Sequence, residues 1–418
     1  QASIAAAGLA AAECHRIATG RDQSVSVDMR HAEVEFRSER YMRIVGAEPP
    51  PMWDPIAGVY QTGDGRFVRL HTNFPHHRAN VLAVLGCGGT REEVAAALAT
   101  RAAEPFETEA IARGAVVAMM RTEAEWAAHP HGKALQTLPV IEITKIGDAP
   151  PRLLPAGERP LAGLHVLDLS RVIAGPVAGR TLAAHGADVL LVTSPNLPNF
   201  DWLSLDTGRG KRATFLDLHT PADRETLTRL LSQADILSQG YRPDAIARLG
   251  FGPEDAQRIR PGIVYVSLCA YGRTGPWAGR RGFDSLVQTA VGINAAEADA
   301  AGIDRPKELP AQALDHATGY LMAFGAIMAR IRQAREGGSW HVQVSLAQTA
   351  EWLRSLGRLP DGLQAPDASL EDIQDLIEET PTALGTMRAV QHAAMLSETP
   401  ARWTLPAAPL GSSRAEWT

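Results

Sequence analysis

Apolar positions fall into short runs and long ones along this chain. Leu164-His165-Val166-Leu167-Asp168-Leu169 is short and apolar, as a buried strand is. Ser170–Pro176 breaks it as a loop, and Val177–His185 carries a helix-like apolar run. Gly186-Ala187-Asp188 stops that run, and Val189-Leu190-Leu191-Val192 reads as a second buried strand. Strand, loop, helix and strand in this order form the unit that builds parallel sheets. The loop holds one Gly and one Pro, so the G-x-G-x-x-G dinucleotide fingerprint is absent. Later, the irregular stretch Leu309-Pro310-Ala311-Gln312-Ala313-Leu314 ends in Asp315, and a long apolar helix-like run follows from Gly319 to Ile331. That places a carboxylate at a helix N-terminus, where backbone N–H groups and the macrodipole favour its ionised form. A plain helix cap accounts for this feature alone as well as a functional acid does.

Residues from about Pro55 to His131 carry a different pattern. Val59–Thr62 and Arg66–Leu70 flank Gly63-Asp64-Gly65 and predict a β-hairpin, because Asp-Gly supplies a tight turn. Helices are predicted around Arg78–Leu85, Glu92–Thr100 and Glu107–Arg113. Pro150-Pro151-Arg152-Leu153-Leu154-Pro155, continuing to Pro160, reads as a stiff connector. There is also an internal similarity: Gly20–Met29 is similar to Gly337–Leu346, each after an Ala-rich apolar helix and each leading into another helix.

Composition narrows the class. Hydrophobic residues make up 45% of 418, which suits a packed globular protein of one or two domains. A net charge of -6 gives no basic excess for nucleic acid or an anionic membrane. No run of 18 apolar residues predicts a membrane span. Cys14, Cys87 and Cys269 lie far apart, without CxxC spacing, and fit a reducing cytosol and a cytoplasmic location. His71, His76, His77, His129 and His131 lack a helical i, i+4 pair and have no Cys beside them, so loop and surface roles are expected and no metal is assigned.

Several short motifs occur in order: Arg171-Val172-Ile173-Ala174-Gly175-Pro176, Gly186-Ala187-Asp188-Val189, Arg209-Gly210-Lys211-Arg212 and Leu216-Asp217-Leu218. Tyr241-Arg242-Pro243, Arg248-Leu249-Gly250 and Tyr271-Gly272-Arg273-Thr274-Gly275-Pro276 follow, then Gly282-Phe283-Asp284 with Gln288, and Asp315 with Gly319. From about Leu161 to Leu353 this series resembles the class III CoA-transferases (CaiB/BaiF type), and the block 55–131 resembles their small domain. The resemblance implies an α/β fold, with a Rossmann-like parallel-sheet large domain and a smaller α+β domain. It divides the chain into a partial first repeat (1–54), a small domain (55–135), a Pro-rich connector (136–160) and the large domain with its tail (161–418). The similarity around Gly20 and Gly337 then reads as an internal, incomplete duplication.

By the same resemblance Asp315 is the nucleophile of an enzyme moving CoA from an acyl-CoA to a carboxylic acid. Arg248 and Tyr241 match positions near the nucleotide end of CoA and Arg281 a basic position close to it, with Val172 and Leu249 expected to supply apolar contact. No metal is implied, and a homodimer is compatible. Where family members carry Asn before the aromatic, this chain has Gly240, and Thr193-Ser194 replaces an acid–base pair. Racemases of the superfamily carry His where this chain has Phe283, and Phe cannot exchange a proton. A superfamily isomerase acting on acyl-CoA is therefore disfavoured. A non-catalytic CoA-binding protein is the remaining alternative, given the altered nucleotide positions. Aligning Gly20 with Gly337 puts the counterpart of Asp315 before residue 1, so one catalytic site per chain is expected, covered in part by the block 55–131.

Overall fold

The runs between 164 and 192 form strand His165–Leu169, helix Ala174–Ala184 and strand Asp188–Thr193. They belong to a seven-stranded sheet in a computed structural model that describes residues 1–418. Across the sheet the strands are Glu142–Gly147, Ser339–Ser345, Val264–Cys269, Ile236–Gln239, His165–Leu169, Asp188–Thr193 and Lys211–Phe215. All neighbours are parallel except the edge pair of Glu142–Gly147 with Ser339–Ser345. Counted along the chain from His165, the six parallel strands lie in the order 3-2-1-4-5-6, that of a doubly wound sheet. The order reverses between His165–Leu169 and Ile236–Gln239. In such sheets a crevice opens beyond the carboxyl ends of these two strands, and ligands bind there.

Both faces of the sheet are covered, which is why its strands are apolar at successive positions. Val166, Val189, Ile236, Val264 and Val342 share one core with helices Ala174–Ala184 and Ala313–Glu336. Leu167, Leu190, Leu237 and Tyr265 face the opposite core, against Leu227, Leu230 and Leu231 of helix Pro221–Leu231. Helix Ala2–Thr19 adds Ile4, Ala7, Ala10 and Ala11 to the first core, so the N-terminal segment shares packing with the sheet.

Helix Ala313–Glu336 is longer at both ends than its apolar run suggested. Gly319 sits where it crosses helix Ala174–Ala184: a Cβ there would lie 2.5 Å from the Ala174 carbonyl oxygen and 2.8 Å from Val177. Only hydrogen fits, so the two backbones approach closely enough to bring Asp315 beside the loop after strand His165–Leu169.

Strands Gly58–Gln61, Phe67–Leu70 and Val117–Met119 form a separate antiparallel sheet. Helices Pro75–Leu85, Arg91–Leu98 and Ala103–Ala112 pack on it around Val68, Val81, Val94 and Phe106. The similar stretches around Gly20 and Gly337 share an element order, helix, strand, helix. Their sheets differ: Val25–Val27 pairs with Ala394–Leu396, whereas Ser339–Ser345 lies in the large sheet. No helix is long and apolar enough to cross a membrane.

Candidate active site

The loop leaving strand His165–Leu169 carries Ser170, Arg171 and Val172 to the mouth of the crevice, and the turn leaving Ile236–Gln239 brings Gly240, Tyr241 and Arg242 opposite. Val172 adopts a φ of 73°, a left-handed conformation that a β-branched residue rarely takes. Such strain costs on the order of 1–3 kcal/mol and persists where surrounding structure imposes it, as at ligand sites. The buried Asp168–Lys211 ion pair, 2.8 Å, lies beneath this loop, and Asp168 also accepts from the Ser170 backbone N–H at 3.1 Å and from its hydroxyl.

Two cavities meet at Asp315. One, of about 320 Å³, is lined by Val172, Tyr241, Arg171, Arg242, Arg281 and Cys269 among others. Arg171, Arg242 and Arg281 form no ion pair, unlike Arg280, which binds Glu107 at 2.7 Å. Arg281 donates to the Gly114 carbonyl at 3.0 Å, and Arg171 lies 5.4 Å over the Phe74 ring. Burial lowers the affinity of both Arg171 and Arg281 for their protons, and in Arg281 the neighbouring Arg242 adds to the effect. Cations held together without counter-ions make a strong anion site.

The second cavity, of about 630 Å³, lies on the other side of Val172 and Phe283; Trp53, Phe74, Phe200, Trp202 and Phe283 give it an aromatic wall, and Asn73, Asn199, Ser285 and Gln312 add polar groups. Phe283 forms part of the wall between them, stacked face to face with His71 at 3.8 Å and 5.9 Å from Phe74. His71 and Phe74 come from the block 55–131, which thus packs directly over Asp315.

Asp315 is buried and is the third residue of its helix, whose cap position is Gln312. The expectation of an acid favoured in its ionised form is corrected here. Burial, then the nearby Asp284 and Glu39 carboxylates, hold Asp315 well above the ordinary carboxylate range, and these outweigh the helix dipole. Asp284 has a clear structural place: its Oδ2 accepts from the Asp315 backbone N–H at 2.9 Å, and its Oδ1 accepts from Gln288. Burial pushes Asp284 up to about 6. Gln288 in turn accepts from the Leu309 N–H at 3.0 Å, so these two residues tie down the start of the Asp315 helix. Behind it, the ring of His316 lies 3.0 Å from the buried Glu39.

Of the residues singled out from sequence, Asp315, Val172, Tyr241 and Arg281 line one cavity. Arg248 and Leu249 do not: Arg248 is exposed on a short 3-10 turn and Leu249 packs on the core beneath the sheet. Arg171 and Arg242 belong to recognised motifs but were not singled out as contacts. Their signal was position: a cation just past each of the two strands at the reversal point. The histidines correct a second expectation. His71, His77 and His131 are buried, and His71 and His77 line the cavities with no partner on Nδ1. No cluster of three His, Cys, Asp or Glu side chains is arranged to hold a metal ion.

Residues 161–357 match the model of CoA-transferase family III. The chain belongs to that family. It is 31% identical over 328 residues to acetyl-coenzyme A transferase nodX of Hypoxylon pulicicidum, covering 72% of this chain and 55% of that protein. It is 30% identical over 369 residues to an acyl-CoA transferase of Gibberella moniliformis, covering 78% and 64%. To a succinate–glutarate CoA-transferase of Agrobacterium fabrum it is 30% identical over 211 residues, covering 46% and 52%. The chain thus spans between about half and two thirds of the length of these relatives.

One pH effect follows from the buried imidazoles of this family III chain. Burial, then the neighbouring His77 and Arg69, push His71 down to about 3. Between that value and the ordinary histidine value near 6.5 the unfolded chain takes up a proton that the native state refuses. His71 therefore withdraws stability as pH falls through this window. Asp284, raised to about 6, acts oppositely, since its folded state holds the proton longer. The difference between wild type and His71→Phe isolates the first effect. In urea melts, His71→Phe is expected to gain on wild type as pH drops from 7 to 4, by up to about tenfold in the unfolding equilibrium per pH unit. Parallel curves for the two proteins would show that His71 takes up its proton normally.

Proposed function

We propose that this chain is an acyl-CoA:carboxylate CoA-transferase with Asp315 as its nucleophile. One observation carries the reading: the Asp315 carboxylate stands where a cavity holding three unpaired arginines meets a wider one with an aromatic wall. CoA is polyanionic at one end and presents its thioester at the other. Arg171, Arg242 and Arg281 would take its phosphates, with Tyr241 and Val172 giving flat and apolar contact, and the thioester would reach Asp315. Arg248 and Leu249 lie outside this lining.

The chemistry divides a hard exchange into easier steps. The Asp315 carboxylate attacks the thioester carbonyl; the C–S bond breaks and CoA leaves as the thiolate, giving a mixed anhydride. The thiolate attacks the aspartyl carbonyl, releasing the donor acid and leaving an aspartyl-CoA thioester. The acceptor carboxylate attacks that carbonyl and expels the thiolate, which then takes the acyl group from the second anhydride and regenerates Asp315. Atoms and charge balance with no proton moved at the acyl α-carbon. Phe283, which has no exchangeable proton, agrees with this and speaks against an isomerase. Excluding water protects the anhydride, and the buried position of Asp315 under the block 55–131 serves that need.

Acyl-CoA and hydroxylamine in heavy water test the reading. The expected result is a hydroxamate on Asp315 and an unlabelled acyl α-carbon, with calorimetric titration giving about one CoA per chain. Deuterium entering the α-carbon faster than CoA changes partner would overturn transfer in favour of isomerisation. CoA binding without any Asp315 adduct would leave a binding protein.

A further inference from the structure

The 630 Å³ cavity has a composition that fits one class of acid. It lies within the range of about 300–1,000 Å³ that accommodates a drug-sized ligand. Trp53, His71, Phe283, Phe74 and Phe200 form a continuous wall: Trp53 meets His71 edge-on at 6.3 Å, and Phe74 lies 5.0 Å from Phe200. Trp53 is 42% exposed, yet its ring is held by the buried Arg69 guanidinium 5.5 Å away. Met52, Trp202, Val172, Ile173 and Leu203 continue the apolar surface. An acid of two to five carbons would leave most of this wall in water.

The charges point the same way. Apart from Asp315, the ionisable groups lining this cavity are Glu39, Asp201, Arg40 and the neutral His71. Glu39 is buried, whereas Arg40 is exposed. A second carboxylate drawn inward would approach the buried Glu39, at a cost larger than in water, and the exposed Asp201 adds a like charge. The arginines gather instead on the other cavity.

Building on the transferase reading, we propose that the wide cavity seats the organic part of a bulky monocarboxylic acid, with an aryl-alkyl or medium-chain alkyl body, as donor or acceptor acyl group. Its carboxyl or thioester carbon lies at Asp315 and its apolar body runs along the wall from Phe283 towards Trp53 and Leu203.

The test compares acetyl-, succinyl-, octanoyl- and 3-phenylpropanoyl-CoA in the hydroxylamine assay on the full chain. Octanoyl- or 3-phenylpropanoyl-CoA is expected to exceed acetyl- and succinyl-CoA at least tenfold in kcat/KM, and whichever leads identifies the body as alkyl or aryl. Leu203→Trp, which narrows the cavity, should cut the ratio of bulky to acetyl donor about tenfold, chiefly through KM. Trp53→Ala, on a half-exposed side chain, should raise KM for 3-phenylpropanoyl-CoA several-fold. Preference for acetyl- or succinyl-CoA, or a ratio unmoved by both variants, overturns the proposal. If none of the four donors modifies Asp315, the transferase reading falls by itself. Calorimetry with the free acids then judges the cavity: octanoate or 3-phenylpropanoate must bind more tightly than succinate, and equal or reversed affinities overturn the assignment.

Discussion

Asp315→Asn is expected to lower CoA transfer by at least about 10⁴-fold, because the amide keeps the shape of the side chain but cannot form the anhydride. The fold should hold. The amide is nearly isosteric, and the Asp315 backbone N–H that binds Asp284 at 2.9 Å is unchanged. The substitution also removes a group that burial, Asp284 and Glu39 make costly to ionise, so thermal stability should not fall. Steady-state transfer, intact-protein mass after acyl-CoA and hydroxylamine, and a melting curve check the three statements. Normal turnover in the Asn variant would remove Asp315 from the mechanism. In the wild type the raised affinity of Asp315 for its proton should place the acid limb of kcat/KM above the ordinary carboxylate range, since the attacking form is the ionised one. A limb near pH 4 would show that the carboxylate is as solvated as an exposed one.

Asp206→Asn is expected to destabilise the protein by about 3–5 kcal/mol, the scale for stripping one partner from a buried ion pair. Asp206 is fully buried, 2.8 Å from Arg180 and 2.9 Å from Arg209, and it accepts from the Ser38 hydroxyl at 2.7 Å. Arg180 also faces Glu35, 3.7 Å away, and Glu35 accepts from the Tyr320 hydroxyl. These charges join the segment around Ser38 to helix Ala174–Ala184 and to the Asp315 helix. Removing the central carboxylate leaves two guanidinium groups too few acids in a dry interior. Urea unfolding should show the loss, and Asp206→Asn combined with Arg209→Met should recover part of it by removing the stranded cation. A loss under about 1 kcal/mol would mean that water reaches these arginines.

The residues behind these two predictions differ in how far the sequence reveals them. The strand at His165–Leu169, the helix after it and the strand at Asp188–Thr193 are legible as short apolar runs broken by Gly and Pro. The hairpin around Asp64-Gly65 is legible for the same local reason. Asp315 stands out by its place before a long apolar run and by family resemblance. Element ends were less clear: the helix begins at Ala313, six residues before the continuous run, because Asp284 satisfies the Asp315 N–H from across the fold. No local signal encodes that partner.

The chemistry of the site was misread where it depends on surroundings. His71 and His77 have the spacing of loop residues, but burial beneath Phe74 and Phe283 makes them neutral cavity walls. Asp315 has the position of a dipole-stabilised acid, but desolvation and two neighbouring carboxylates reverse the balance.

Local pattern therefore determined two strands of the large sheet, the hairpin, the helices it marked by apolar spacing and the acid to examine, since these depend on φ/ψ preferences and on the spacing of apolar side chains. Tertiary structure alone decided the strand order 3-2-1-4-5-6, the meeting of Trp53, His71, Phe200 and Phe283 in one wall, and the raised proton affinity of Asp315. Those features depend on burial and on distances between residues far apart in the chain, and neither quantity is carried by any short stretch of sequence.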